Sequence, residues 1–64
     1  MTHDQFGKAV VASGLMTAAE LKALWSNLPP NERPNDGETF AELLRERGLI
    51  NEFQAEELLS RNYS

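Results

Sequence analysis

The stretch that decides the fold is residues 47–59, RGLINEFQAEELL, because the chain contains it twice. Residues 13–25, SGLMTAAELKALW, align with it position by position, so that Gly48 falls on Gly14. The alignment continues upstream into both preceding segments. An internal repeat of this length indicates the architecture before any single residue is interpreted.

Each copy of the repeat predicts a helix end, a tight turn and a helix start. Gly14 and Gly48 lie where a helix ends, since glycine enters the left-handed conformation without a Cβ penalty. The leucine after each glycine supplies the apolar contact of a Schellman motif. Residues 17–20 (TAAE) and 51–54 (NEFQ) then have the spacing of a capping box.

The sequence therefore predicts an all-α fold of four short helices. These run from Thr2 or His3 to Ser13, from Ala18 to about Leu28, from just after Asp36 to near Arg47, and from Glu52 to about Arg61. We expect residues 1–64 to form one domain of two αα-hairpins related by a pseudo-twofold axis. The first copy occupies about 2–28 and the second about 37–62. The proline-rich residues 29–36 form a semi-rigid connector with a polyproline II bias.

Apolar side chains at helical spacing predict the core. Its expected members are Phe6, Val10, Leu15, Leu21, Leu24, Trp25, Phe40, Leu44, Leu49, Ile50, Leu58 and Leu59. Trp25 also suits a binding anchor, because tryptophan is enriched at interface hot spots. Its place in the apolar stripe and its match to Leu59 favour the core. A core in so short a chain is small, with about 60% of the unfolded surface buried.

Two side chains lie outside the apolar stripes that predict the core. Phe53 lies roughly opposite Ala55 on the helical wheel, so it either folds over the hairpin corner against Leu49 or is exposed to a partner. We favour the first interpretation, because small domains recruit such aromatics to enlarge their cores. His3 is the single histidine, and we expect it to be solvated, because no second metal ligand lies at useful spacing.

The formal net charge of −4 is unevenly distributed. In residues 1–30 the acids and the lysines balance, so residues 31–64 carry all of the net charge. This distribution disfavours nucleic acid and anionic membranes, which require clustered Lys and Arg. It favours a basic partner over these, although a solvated acidic face is the commoner explanation of such a charge pattern.

The composition also bears on the compartment. The chain has no cysteine, so it has neither a disulfide framework nor a thiolate zinc site. Residues 1–6 lack the basic and apolar regions of a signal peptide, and no apolar run approaches the roughly 18 residues of a membrane span. We therefore expect a cytoplasmic protein without direct membrane contact. No helix stop follows Arg61, so we expect the chain to continue beyond Ser64.

Catalytic patterns are missing from the sequence. With one histidine and no cysteine, neither a Ser/His/Asp nor a Cys/His set can be assembled. The glycines do not form a phosphate-binding loop. Neighbouring carboxylates lie on predicted exposed faces, where no cleft prepares them for acid–base chemistry. The sequence therefore predicts no enzymatic activity, no cofactor and no metal site for this domain.

The charged outer faces of the third and fourth helices predict an interaction surface. Its candidate residues are Glu38, Glu42, Glu52, Phe53 and Glu56. The glutamates form two pairs of like charge one helical turn apart, an arrangement that slightly destabilises an isolated helix. We expect a weak protein–protein contact in which Phe53 is the apolar anchor and the glutamates meet a basic surface.

Two segments of the sequence resemble a known pair of sequence motifs. Residues 6–25, which include Gly14-Leu15-Met16-Thr17, and residues 40–59, which include Gly48-Leu49-Ile50-Asn51-Glu52-Phe53-Gln54-Ala55, lie on either side of the proline linker. They resemble the short N-terminal region that precedes the catalytic domain in many serine/threonine protein kinases of planctomycete-type bacteria. One departure is Asn51, where threonine is commoner, and asparagine is also a good helix cap.

The resemblance implies a non-catalytic accessory module of such a kinase, for docking, self-association or regulation. The kinase's own motifs, the glycine-rich loop, HRD and DFG, do not occur in this chain. The phrase around Gly48 is also similar to the N-terminal helix pair of type II secretion and type IV pilus ATPases. In one branch of that family the pair binds a cyclic dinucleotide, but the Arg-Leu-Gly element expected for that binding does not occur here. A helix-turn-helix DNA reader ranks third, because the second helix of each hairpin has too little positive charge.

Overall fold

Four α-helices and one 3₁₀ turn make up residues 1–60, the part of the chain that this computed structural model describes. The helices are α1 (His3–Ala12), α2 (Ala18–Asn27), α3 (Gly37–Glu46) and α4 (Glu52–Ser60), and the 3₁₀ turn is Pro30–Glu32. Residues 1–60 contain no strand, so the predicted all-α class is confirmed. Every helix begins where the sequence predicted. The predicted end of the fourth helix at Arg61 lies outside the described residues.

Both predicted helix stops are Schellman motifs. Gly14 and Gly48 have φ angles of 78° and 72°, in the left-handed region. The Leu15 N–H donates to the carbonyl of Val10 at 3.3 Å, and the equivalent Leu49 N–H donates to Leu44 at 3.0 Å. These are the six-to-one hydrogen bonds of the motif, and they pair carbonyls that a helix end leaves without a partner.

Side-chain caps begin each helix. The capping boxes of α1, α2 and α4 are Thr2 with Gln5, Thr17 with Glu20, and Asn51 with Gln54. At α3 the Asp36 carboxylate accepts the Thr39 N–H at 2.7 Å. At the first residue of α3, the Gly37 N–H donates to the carbonyl of Met1 at 2.8 Å. The start of the chain is therefore tied to the start of α3.

Helix α1 lies at the centre of the domain and packs against α3, α4 and α2. The buried core consists of Phe6, Ala9, Val10, Phe40, Ala41, Leu44, Ile50, Ala55 and Leu58. Partly buried side chains pack around it, namely Leu15, Met16, Leu21, Leu24, Trp25, Leu43 and Leu59. The prediction for Leu49 is wrong, since this side chain is 43% exposed. Leu49 and Ile50 follow Gly48 in the turn between α3 and α4, and it is Ile50 that points into the core.

The helix contacts differ between the two copies of the repeat. Helix α3 packs closely against both α1 and α4, whereas α2 approaches only α1 closely among the four helices. A twofold axis would make the α2–α3 contact equivalent to the α1–α4 contact, but the backbones approach closely only in the α1–α4 pair. The hairpin symmetry that we expected is therefore not confirmed. Helix α2 has no fully buried residue, and it reaches α3 through the Trp25 ring, whose centroid lies 5.6 Å from that of Phe40.

The proline-rich connector packs onto α2. Pro30 begins the 3₁₀ turn instead of continuing a polyproline II segment, which proline's fixed φ angle also allows. Beyond the turn, Arg33 Nε donates to the Trp25 carbonyl at 3.3 Å, and its guanidinium lies 5.8 Å from the Trp25 ring centroid. Leu28 and Pro34 are buried at the two ends of the connector. The connector is therefore held at Arg33 and at its two ends, while its other residues are exposed.

Candidate functional site

A groove of about 610 Å³ lies between α1 and α2. We call it the α1–α2 groove; it is lined by one side of α1, from His3 to Ala12, and one side of α2, from Ala18 to Trp25, with Phe40 at its base. Its floor is mainly apolar, and Val11 and Leu21 contribute to it. Its volume is in the range of ligand pockets, about 300–1,000 Å³.

The groove exists because the two copies of the repeat differ in volume at one helix contact. A Cβ atom built on Gly7 would lie 3.2 Å from Leu21 Cδ2, so the leucine already fills the space above the glycine. The equivalent residues of the second copy are Ala41 and Ala55, and both are buried. Two small residues let α4 pack closely against its neighbours, whereas the larger Leu21 lies between α2 and Gly7 of α1 and is only partly buried against the core.

An aromatic stack forms part of the groove lining. The His3 imidazole lies flat on the Trp25 ring, with centroids 4.9 Å apart and an interplanar angle of 17°. Trp25 in turn packs at a tilt against the buried Phe40. His3 is therefore less solvated than expected, since its side chain, which is 39% exposed, is partly covered by Trp25. Trp25 is partly buried in the core, as predicted, and also forms a wall of the groove.

The rim of the groove carries more positive than negative charge. Lys8 on α1 and Lys22 on α2 line it, together with the carboxylate of Asp4. His3 Nε2 lies 3.8 Å from Asp4 Oδ1. The chain as a whole has a formal net charge of −4, so the groove is a locally basic region of an acidic chain.

A second surface lies at the corner between α3 and α4. Phe53 is 72% exposed, so the favoured interpretation, in which it folds against Leu49, is wrong and the alternative of an exposed aromatic holds. The reason is that Ala55 and Leu58 take the inward face of α4, which turns Phe53 outward. Glu52 and Glu56 are exposed beside it. We call Leu49, Glu52, Phe53 and Glu56 the Phe53 surface.

The other two candidate interaction residues lie on a different helix, α3. Glu38 and Glu42 are exposed on α3, in agreement with their predicted outer positions. Glu38 lies in the first turn of α3, about 12 Å along the helix axis from the last residue, where the chain turns towards α4. The structure therefore brings Glu52, Phe53 and Glu56 together and leaves Glu38 at the other end of its helix.

The perturbed carboxyl groups of the described residues belong to helix caps. A hydrogen bond from the backbone N–H of Thr17 lowers the pKa of Glu20, and one from the backbone N–H of Thr39 lowers the pKa of Asp36. Neither carboxylate lines the groove. Within residues 1–60 no cluster of His, Asp and Glu could hold a metal ion, and no helix is long and apolar enough to cross a membrane.

No family model, curated protein or solved structure matches this chain. Its function is therefore inferred from the groove and the Phe53 surface.

The sequence named Glu52, Phe53 and Glu56 as interaction candidates, although it favoured a buried Phe53, and it gave no prediction of the groove. The repeat contains a pattern that points to it, because charges are reversed at equivalent positions. Lys8 aligns with Glu42, and Lys22 aligns with Glu56. The two copies therefore share their helix caps but carry opposite charges at equivalent positions, and this reversal indicates that their surfaces differ there.

Proposed function

We propose that this chain is a non-catalytic protein-interaction module and that the α1–α2 groove takes an acidic segment of a protein partner. The observation that supports this most directly is the groove itself, an apolar depression with lysines on both helices that border it. The segment that fits best presents an aromatic or aliphatic side chain with carboxylates on either side.

Physical chemistry favours a helical occupant. An amphipathic helix binds a groove through a few apolar anchors on one face, and the anchors gain most from water exclusion. The lysines at the rim would orient the occupant and speed its encounter more than they would add affinity. The module acts by binding alone in this proposal, since the perturbed carboxyl groups belong to the helix caps of α2 and α3.

We further propose that the module belongs to a serine/threonine protein kinase, where it docks a partner or regulates the adjoining catalytic domain. The support for this context is the pair of phrases around Gly14 and Gly48, which resemble those of kinase N-terminal regions. A glycine-rich loop and a strand lysine encoded after Ser64 would support it, and a different downstream domain would refute it.

Trp25 provides a direct test of the groove. It is the single tryptophan of the chain and it lines the groove, so its fluorescence reports occupancy. The probe is a synthetic amphipathic peptide in which Glu residues at positions i and i+4 flank a Phe at i+1. We expect a saturable fluorescence change that weakens as salt is raised. A peptide with Lys in place of both Glu residues should bind much more weakly.

A paired variant completes the test. Lys8→Glu/Lys22→Glu should abolish the fluorescence change, whereas Arg45→Glu/Arg47→Glu, which reverses two exposed charges on α3 and at its end, should not. If both variants bound the peptide like the wild type, or if no peptide bound, the groove would not be the interaction site. Titration with a cyclic dinucleotide tests the alternative. Saturable micromolar amide shifts would favour the nucleotide-binding function.

A further inference from the structure

We infer that the occupant of the α1–α2 groove is the Phe53 surface of a second copy of this chain, so that copies associate head to tail. This inference rests on the proposed function of the groove and names its partner.

The apolar parts of the two surfaces complement each other. Phe53 is the most exposed of the large apolar side chains in residues 1–60, at 72%, and Leu49 beside it is 43% exposed. The groove offers an apolar floor between two helices and a volume of about 610 Å³, which is ample for a phenyl ring. Burying one aromatic side chain removes about 150–250 Å² from water.

The charges of the two surfaces also complement each other. Glu52 and Glu56 lie one helical turn apart on α4, exposed and both next to Phe53 on the same side, whereas Lys8 and Lys22 stand on the two helices that border the groove. An aromatic residue beside two carboxylates therefore meets an apolar groove whose rim carries two ammonium groups and one carboxylate, that of Asp4. Docking would relieve the repulsion that two like charges at this spacing exert within α4. The Phe53 surface thus finds in the groove the basic partner that its charge favours.

The geometry makes the contact heterologous. The groove is formed by α1 and α2, and the Phe53 surface by α4 and the turn before it, so the two surfaces share no residue. One copy can therefore use both surfaces at once. A heterologous contact generates closed rings or open chains of subunits instead of a closed twofold dimer. A contact centred on one aromatic side chain is small, so we expect a dissociation constant between about 10 µM and 1 mM at low salt.

Sedimentation velocity tests the inference, with two variants that each remove one surface. Lys8→Glu/Lys22→Glu alters the groove, and Phe53→Ser alters the Phe53 surface. The wild-type chain should form species larger than a dimer as its concentration approaches about 1 mM, and high salt should dissociate them. Each variant alone should remain monomeric.

Mixing the two variants gives the decisive measurement. Each still carries one intact surface, the Phe53 surface in the first and the groove in the second, so together they should form a 1:1 dimer and nothing larger. Helical circular dichroism should be unchanged in both, because the substituted side chains are exposed. The Arg45→Glu/Arg47→Glu control should assemble like the wild type. A mixture that stayed monomeric would overturn the inference.

The outcomes separate the two levels of the proposal. A wild-type chain that is monomeric at about 1 mM, but whose groove binds the acidic peptide, refutes self-association and leaves the proposed function standing. If Lys8→Glu/Lys22→Glu assembles as well as the wild type, and if the wild-type chain does not bind the peptide, then both self-association and the proposed function of the groove are refuted.

Discussion

The α1–α2 and α3–α4 pairs have the same local structure and different packing. Each pair contains a left-handed glycine, a Schellman hydrogen bond and a capping box at its second helix. Yet α4 buries Ala55 and Leu58 against two neighbouring helices, whereas α2 buries no residue completely, and its backbone lies close to that of α1 alone. Helix bounds are therefore set by short local patterns, and the closeness of the packing is set by side-chain volume between the helices.

The most pronounced consequence of this difference concerns stability. Leu58 and Leu24 occupy equivalent positions in the repeat, but Leu58 is 2% exposed and Leu24 is partly buried. We expect Leu58→Ala to reduce the free energy of unfolding by about 2–5 kcal/mol. A domain of this size has only about 3–5 kcal/mol from its core, so that variant should be largely unfolded.

The matched variant Leu24→Ala should reduce the free energy of unfolding by about half as much, because less surface returns to water. Urea titration followed by circular dichroism measures the loss in Leu24→Ala, and the helical signal that remains without urea gives the folded fraction of Leu58→Ala. Equal losses would show that α2 is packed as firmly as α4 in solution and would remove the physical basis of the groove.

The helix bounds and most of the core were predictable from the sequence because their determinants are local. A cap involves residues three apart, and an apolar stripe repeats every three or four residues, so both patterns are visible within one helix. Leu49 shows the limit of this reasoning. Its apolar character suited the core, but Ile50 takes the inward position at the corner and leaves Leu49 partly exposed.

The groove and the position of His3 were not predictable in the same way. The groove depends on the contact of Leu21 with Gly7, and the His3 stack on Trp25 joins residues on different helices. A single sequence does not show which side chains of different helices meet. The exposed glutamates were correctly placed, because charge is a property of one residue. Phe53 was not, because its exposure depends on which face of α4 meets α1 and α3.

The second prediction tests the feature that the copies share. Gly48→Val should lower the free energy of unfolding by more than about 1 kcal/mol, because valine is strained in the left-handed conformation. Gly14→Val should have a similar effect. A Cβ on either glycine meets no atom within 4 Å, so backbone strain is the common cause. Thermal unfolding measures both, and an unchanged melting temperature in either variant would contradict the role of that glycine.

The third prediction concerns the volume difference that opens the groove. Gly7→Ala should change stability by less than about 1 kcal/mol, because the gain in helix propensity is offset by the 3.2 Å approach to Leu21 Cδ2. In a Leu21→Ala background the same substitution should stabilise by about 0.5–1 kcal/mol. The double variant then has alanine at both positions, as in the second copy. A thermodynamic cycle of urea titrations measures the coupling, and additive effects would show that Leu21 does not hold the helices apart.

The smallest expected effect distinguishes the capping boxes of α2 and α4. The box of α2 contains Glu20, which accepts the Thr17 N–H at 2.9 Å, whereas the box of α4 contains the neutral Gln54, which accepts the Asn51 N–H at 2.8 Å. The hydrogen bond from Thr17 lowers the pKa of Glu20 in the folded state. A lowered pKa means that the contribution to stability is complete above the ordinary glutamate value of about 4.3. It is lost as the pH falls through the folded-state pKa.

Acid should therefore loosen the start of α2 before it affects the start of α4. We expect the Thr17 amide resonance to move as the pH falls below the ordinary glutamate pKa of about 4.3 and Glu20 becomes protonated, while the Asn51 amide moves less. Glu20→Gln makes the first box resemble the second, so it should abolish the titration of Thr17 and leave the cap formed. Asp36, whose pKa is lowered by the Thr39 N–H, titrates in the same direction at α3, and Asp36→Asn removes that contribution. If the Thr17 and Asn51 amides titrated alike in the Asp36→Asn variant, the carboxylate of Glu20 would not distinguish the two caps.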